Sequence, residues 1–233
     1  LSFLANGKLT TISSEMFSNL YNLKTIDWEN SNITRIEYRG MANCDSLKIS
    51  RFPKNLRNIG EYAFEYGYAI DTINLPRRLE TIGSGAFQYC NNTKVIKIPS
   101  SVREIQDRAF WECKNVNSVH TYTIEPTRIN QQTFSCYKKA TLYVPKTSYY
   151  NYYYNTQWSQ FLKLSEFDEE YDYFYLYGDY YLGDENGIIK GDPDGDLFPG
   201  SGLIIVGNET VDVHNLHYIA HQDEYSGEWT FPS

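Results

Sequence analysis

Ile82-Gly83-Ser84-Gly85-Ala86-Phe87-Gln88-Tyr89-Cys90-Asn91-Asn92-Thr93-Lys94-Val95-Ile96-Lys97-Ile98-Pro99 reads as one turn of a repeat. Cys44, Cys90, Cys113 and Cys136 stand 46, 23 and 23 residues apart, with Gly67 at the skipped position. A fixed period of that size marks a solenoid. Other columns keep the same step. Three residues before the cysteine position stand Met41, Phe64, Phe87 and Phe110, and five before those stand Ile36, Ile59, Ile82 and Ile105. Three after it come Leu47, Ile70, Thr93 and Val116; nine after it come Pro53, Pro76, Pro99 and Pro145. About six copies cover residues 9–145, the first through Ile12, Phe17, Leu20, Leu23 and Ile26.

A coil of 23 residues cannot bury its apolar side alone. Stacking each column on the same column of the next coil makes a continuous core. Ile96-Lys97-Ile98 alternates apolar, polar, apolar, as a short half-buried strand does. Stacked copies predict a parallel ladder with a spacing of roughly 4.8 Å, each strand stopped by its proline. The cysteine column also holds Leu20 and Gly67, so it needs a small or apolar filler, and free buried thiols are expected.

The pattern Ile-x-x-x-x-Phe-x-x-Cys-x-x-Leu-x-x-Ile-x-Ile-Pro resembles the BspA-like (treponemal-type) leucine-rich repeat. The resemblance covers about 60% of the chain. It implies a leucine-rich repeat solenoid and a secreted or surface-anchored protein of oral or gut bacteria or of some parasites. It also implies a role in adhesion or host-protein binding. Residues 1–8 do not form a signal peptide and there is no initiator Met. The reading is a mature or trimmed chain at the cell surface or outside the cell, its export signal not shown.

A solenoid end exposes core and needs a lid. Residues 148–164 are read as a helical C-terminal cap, with Tyr150, Tyr154, Trp158 and Phe161 on one buried face. The alternative is an exposed aromatic platform for carbohydrate. Composition then shifts. Residues 1–164 carry 20 Lys+Arg and 13 Asp+Glu, a net of +7, whereas residues 165–233 carry one Lys and 16 Asp+Glu, a net of −15. The acidic segment is aromatic and β-branched, which argues against disorder. Tyr173–Leu182, Gly187–Lys190, Leu203–Val206 and Thr210–Ile219 are read as strands of a small antiparallel β-domain. The opposite charges suggest a contact between solenoid and tail.

Chemistry-bearing motifs are few. Asp192, Asp194 and Asp196 alternate as in a calcium loop, but Leu197 and Leu203 stand where an EF-hand needs Gly and Glu. A looser calcium site is the remaining cofactor candidate. His214, His217 and His221 would align on a helix, but the residues before them alternate as a strand. No nucleophile elbow, zinc-protease motif or phosphate loop is present, so an enzyme is not expected. The modest basic charge opposed by the tail argues against nucleic acid.

The remaining candidate is one outward residue per coil, seven after the cysteine position: Asp27, Arg51, Asn74, Lys97, His120 and Tyr143. Solenoids commonly bind partners across such a concave row. The bland reading is a solvated strand face. Arg51, Lys97 and His120 together suggest an anionic partner. The expected function is non-enzymatic adhesion to a host protein or glycan. The alternatives are carbohydrate capture by tail aromatics such as Tyr180, Tyr181, Tyr225 and Trp229, or a structural spacer.

Overall fold

The computed structural model describes residues 8–28 and 31–166, and beyond them the strand segments 172–176, 179–183, 203–206, 209–212, 221–222 and 229–230. The chain forms two compact units, Leu1–Glu166 and Phe167–Ser233.

The first unit is a β-solenoid with two parallel ladders. The sequence predicts one. The first ladder stacks five two-residue strands, Thr11–Ile12, Arg35–Ile36, Asn58–Ile59, Thr81–Ile82 and Glu104–Ile105, in chain order. It is built on the Ile column, and Ile12, Ile36, Ile59 and Ile82 are wholly buried. Two residues give no visible alternation, so the sequence shows a column there but no strand. The second ladder stacks Thr72–Asn74, Val95–Ile98, Ser118–Thr121, Thr141–Val144 and Lys163–Glu166. Its register is the anticipated one: Ile73 pairs with Ile96, Ile96 with Val119 and Val119 with Leu142.

Between the ladders five coils each make a tight corner through two left-handed residues four apart, such as Tyr62 and Tyr66, or Gly85 and Tyr89. Such a conformation is costly for L-residues other than glycine, and here the next coil holds it in place. Tyr62, Phe64 and Tyr66 donate their backbone N–H groups to the carbonyls of Ser84, Ala86 and Gln88, at 2.9, 2.7 and 2.9 Å. Gly83 is needed for a different reason. A Cβ there would sit 2.6 Å from the Gly60 carbonyl carbon, so the coils approach backbone to backbone.

The core follows the columns. Phe64, Phe87, Phe110 and Phe134 form a continuous stack, with ring centroids 5.2, 5.5 and 5.1 Å apart and planes within 10°. All four cysteines are free and buried. The cysteine column has a polar role besides filling space. Cys44, Cys90 and Cys113 donate their thiols to the carbonyls of Phe17, Phe64 and Phe87 in the preceding coil, at 3.2, 3.3 and 3.1 Å. Gly67 takes the cysteine's place in one coil, where a Cβ would lie 2.6 Å from Ile70 Cδ1. Leu20 does not fill the core as the column predicts; it is 40% exposed.

The end of the solenoid differs from a single amphipathic cap helix. Only Tyr149–Tyr153 is α-helical, flanked by 3-10 turns at Lys146–Ser148 and Trp158–Gln160, and Lys163–Glu166 joins the second ladder as a strand. Trp158 and Phe161 are buried against Phe134 as expected. Tyr150 and Tyr154 are exposed, and Tyr152 is the buried tyrosine. The helix is too short to carry the predicted stripe, and Tyr152 is held by its hydroxyl, which donates to the Thr123 carbonyl at 2.9 Å.

In the second unit, Asp172–Leu176 pairs antiparallel with Asp179–Gly183, Leu203–Val206 with Glu209–Asp212, and His221–Gln222 with Trp229–Thr230. The stretch read as one strand over Tyr173–Leu182 is therefore two antiparallel strands, Asp172–Leu176 and Asp179–Gly183. Of the strand read over Thr210–Ile219, Thr210–Asp212 falls in the strand Glu209–Asp212, and residues 213–219 lie outside the described residues. Gly187–Lys190 lies outside the described residues.

Candidate functional site

The second ladder fixes the outward row by alternation. Ile96 and Ile98 turn inward and are wholly buried, which leaves Lys97 between them on the other face. Pairing brings Asn74 beside Lys97, Lys97 beside His120, His120 beside Tyr143 and Tyr143 beside Ser165. Ser165 extends the row by a coil that the sequence repeat does not reveal.

Asp27 and Arg51 lie outside the named strands of this ladder. The coil of Arg51 explains its own departure. Ile49 and Phe52 are buried while Ser50 and Arg51 are exposed, so the strict alternation is broken. Ser50 replaces the isoleucine that would have turned inward.

The charge of the row also differs from its sequence reading. His120 is half-buried and stacks on Tyr143, with ring centroids 4.6 Å apart and planes 14° apart. Burial, and then the positive charge of Lys97, lower its pKa to about 4. It is a neutral imidazole at pH 7, so the positive charge of the row on this ladder rests on Lys97. The row thus offers an amide at Asn74, a cation at Lys97 and a stacked aromatic pair. The set contains no nucleophile with a base beside it.

The thiols do not supply one. Burial pushes Cys44 up to about 11 and Cys136 up to about 12, and raises Cys113 well above its ordinary value. These three are protonated at neutral pH, and a thiol reacts as its thiolate.

Two further features lie off the row, the first being exposed aromatics that the sequence offers only as the alternative to a buried cap face. Tyr149 stacks on Tyr153 and Tyr150 on Tyr154, at 6.0 and 6.1 Å, and Tyr150, Tyr153 and Tyr154 are 67%, 54% and 74% exposed. Their spacing is the signal, but it points to a core face. The other is a lysine-lined groove, whose signal is the column four after the cysteine position, with Lys24, Lys48 and Lys94.

Asp192, Asp194 and Asp196 lie outside the described residues, as do His214, His217 and Tyr225. Tyr180 and Tyr181 fall in the strand Asp179–Gly183 and Trp229 in Trp229–Thr230. Among the described residues no group of His, Cys, Asp or Glu is placed to hold a metal ion, and no helix is long and apolar enough to cross a membrane.

The BspA type leucine-rich repeat region matches this chain in six copies, over residues 2–117 and 62–169. A solved T. pallidum leucine-rich repeat protein is similar, with 24% identity over 52% of this chain and 57% of that one, at a TM-score of 0.48. The pneumococcal vaccine antigen PcpA is similar at 14% identity over 72% of this chain and 41% of that one, with a TM-score of 0.59. The latter likeness is one of fold. This chain spans about half the length of these structures or less. No curated protein matches it.

Proposed function

Because the chain belongs to the BspA-type leucine-rich repeat family, we propose that it is a non-enzymatic cell-surface or extracellular binding protein. It recognises a host protein or glycan through the outward row of its second ladder. The observation that carries this reading is the register of Asn74, Lys97, His120 and Tyr143 on four consecutive strands. A rigid ladder presents them at fixed spacing, so little ordering entropy is lost on binding.

Arrays of host matrix proteins and of glycans, probed with the full chain, test the proposal. A hit that is lost in a Lys97→Ala/Tyr143→Ala chain with unchanged melting supports it. Silence on both arrays supports a structural spacer instead.

A second reading, carbohydrate capture, is favoured by the exposed and stacked cap tyrosines. Residues 147–162 carry no charge at all. Tyrosines offer rigid amphipathic contact area at low entropic cost. Glycan binding that disappears with Tyr150→Ala/Tyr154→Ala, but not with the row variant, supports this reading. The acidic residues 165–233 are a further candidate partner for the basic solenoid within the chain. Their proteolytic release at low and high salt tests it, and no salt dependence counts against it.

A further inference from the structure

Along the edge where the chain enters the second ladder runs a groove of about 580 Å³ that is separate from the outward row. Lys48, Lys94 and Lys139 line it, with Tyr68, Asn92 and Asn115 beside them. It crosses five coils, so four ladder steps of about 4.8 Å make it roughly 19 Å long. The three lysines are exposed, and none makes an ion pair among the described residues. One acid, Asp71, lines the groove against them.

The lysines stand on alternate coils, about 10 Å apart at the ladder spacing. Asn92 shares the coil of Lys94, Asn115 stands on the coil between Lys94 and Lys139, and the backbone holds both amides. Asn92 Nδ2 donates to the Tyr68 carbonyl at 2.7 Å and Asn115 Nδ2 donates to the Asn91 carbonyl at 2.8 Å. Each amide is thereby fixed in orientation, and its oxygen is left as an acceptor with two lone pairs. Lys139 Nζ is steadied in the same way by the Lys114 carbonyl at 3.3 Å.

Cations at a regular interval, with fixed amide acceptors and an aromatic ring beside them, match a particular polymer chemistry. An anion meets each lysine, and hydroxyl donors meet the amides. We infer that this groove binds a linear acidic polysaccharide whose carboxylate or sulfate recurs once per disaccharide. In an extended chain of alternating sugars, same-face charges recur at the disaccharide repeat, a spacing of the same order as that of the lysines. A lysine is a point charge without a preferred fork, so carboxylate and sulfate are both accepted.

The full chain is tested against hyaluronan, which carries carboxylate alone, chondroitin sulfate, which carries both groups, neutral dextran and single-stranded DNA. Binding to one or both acidic glycans, weakened by salt, is the expected result, and the two glycans separate the sources of anion. Lys94→Ala/Lys139→Ala weakens it about tenfold, the effect of 1.4 kcal/mol shared by two lysines. A Lys146→Ala/Lys163→Ala chain, with the same change in net charge, binds as before. The inference is overturned if neither acidic glycan binds, if dextran binds equally well, or if DNA binds more tightly. It is also overturned if the two lysine pairs have equal effects. Loss in Lys97→Ala/Tyr143→Ala with retention in Lys94→Ala/Lys139→Ala overturns it too, by placing the glycan on the outward row.

Discussion

Replacing Phe87 with alanine tests the stacked core at its centre. Phe87 is wholly buried. It stacks on Phe64 at 5.2 Å and on Phe110 at 5.5 Å, and Phe52 meets it edge-on at 6.1 Å. Truncating a buried phenylalanine costs about 3–5 kcal/mol through lost transfer energy and the cavity left behind. Two aromatic stacks are lost together, which places Phe87→Ala near the upper end, at about 4–5 kcal/mol. With an m-value of about 2 kcal/mol per molar, the urea midpoint falls by about 2 M. The assay is urea unfolding followed by far-UV circular dichroism, with Lys146→Ala as the surface control. Phe87→Leu, which keeps apolar volume but removes the stack, falls by less. Because each coil touches only its neighbours, Phe87→Ala also weakens two successive coil interfaces and broadens the transition. A midpoint shift no larger than the control's refutes the reasoning, because the phenylalanine column is then not the core.

Gly83→Ala destabilises the fold in the same unfolding assay, because the added Cβ meets backbone of the preceding coil 2.6 Å away; overpacking of this kind costs about 1–3 kcal/mol. Tyr152→Phe lowers stability by about 1–2 kcal/mol without changing the fold, because the Thr123 carbonyl loses its buried hydroxyl donor. His120 makes stability pH-dependent. Its folded pKa of about 4 lies below its ordinary 6.5, so above pH 6.5 neither state is protonated there and nothing is lost. Between pH 6.5 and 4 the unfolded chain takes up a proton that the folded chain refuses, and stability falls. The full shift would give about 3 kcal/mol, which partial solvent contact reduces to about 1–2 kcal/mol. His120→Gln removes that slope in melting temperature against pH; an unchanged slope assigns it to other groups.

The second ladder is legible because Ile96-Lys97-Ile98 alternates, and alternation with a fixed period fixes both strand and register. The first ladder is not, because a two-residue strand such as Thr81–Ile82 has no period to read. Its left-handed corners are equally silent. Glu, Asn, Arg and Tyr occupy them as well as Gly85, since contact with the next coil decides the conformation. Trp158 and Phe161 are found correctly at the closing end, whereas Tyr150 and Tyr154 are not. A helical interval predicts one buried face only when the helix lasts several turns, and here it lasts five residues.

The outward row shows the same division. Sequence spacing identifies Asn74, Lys97, His120 and Tyr143, because they alternate with buried residues. Spacing cannot reveal that His120 is neutral, which depends on its burial and on Lys97 in the neighbouring strand. Nor can it show that Arg51 leaves the ladder, which follows from the slip that buries Ile49 and exposes Ser50.

The most direct measurement is the equilibrium affinity of the full chain for a matrix protein or glycan identified on the arrays, compared with that of Lys97→Ala/Tyr143→Ala. The two chains are first matched for melting temperature. Recognition through the outward row predicts a loss of about tenfold or more, the equivalent of about 1.4 kcal/mol. Equal affinities would contradict the assignment of binding to this face.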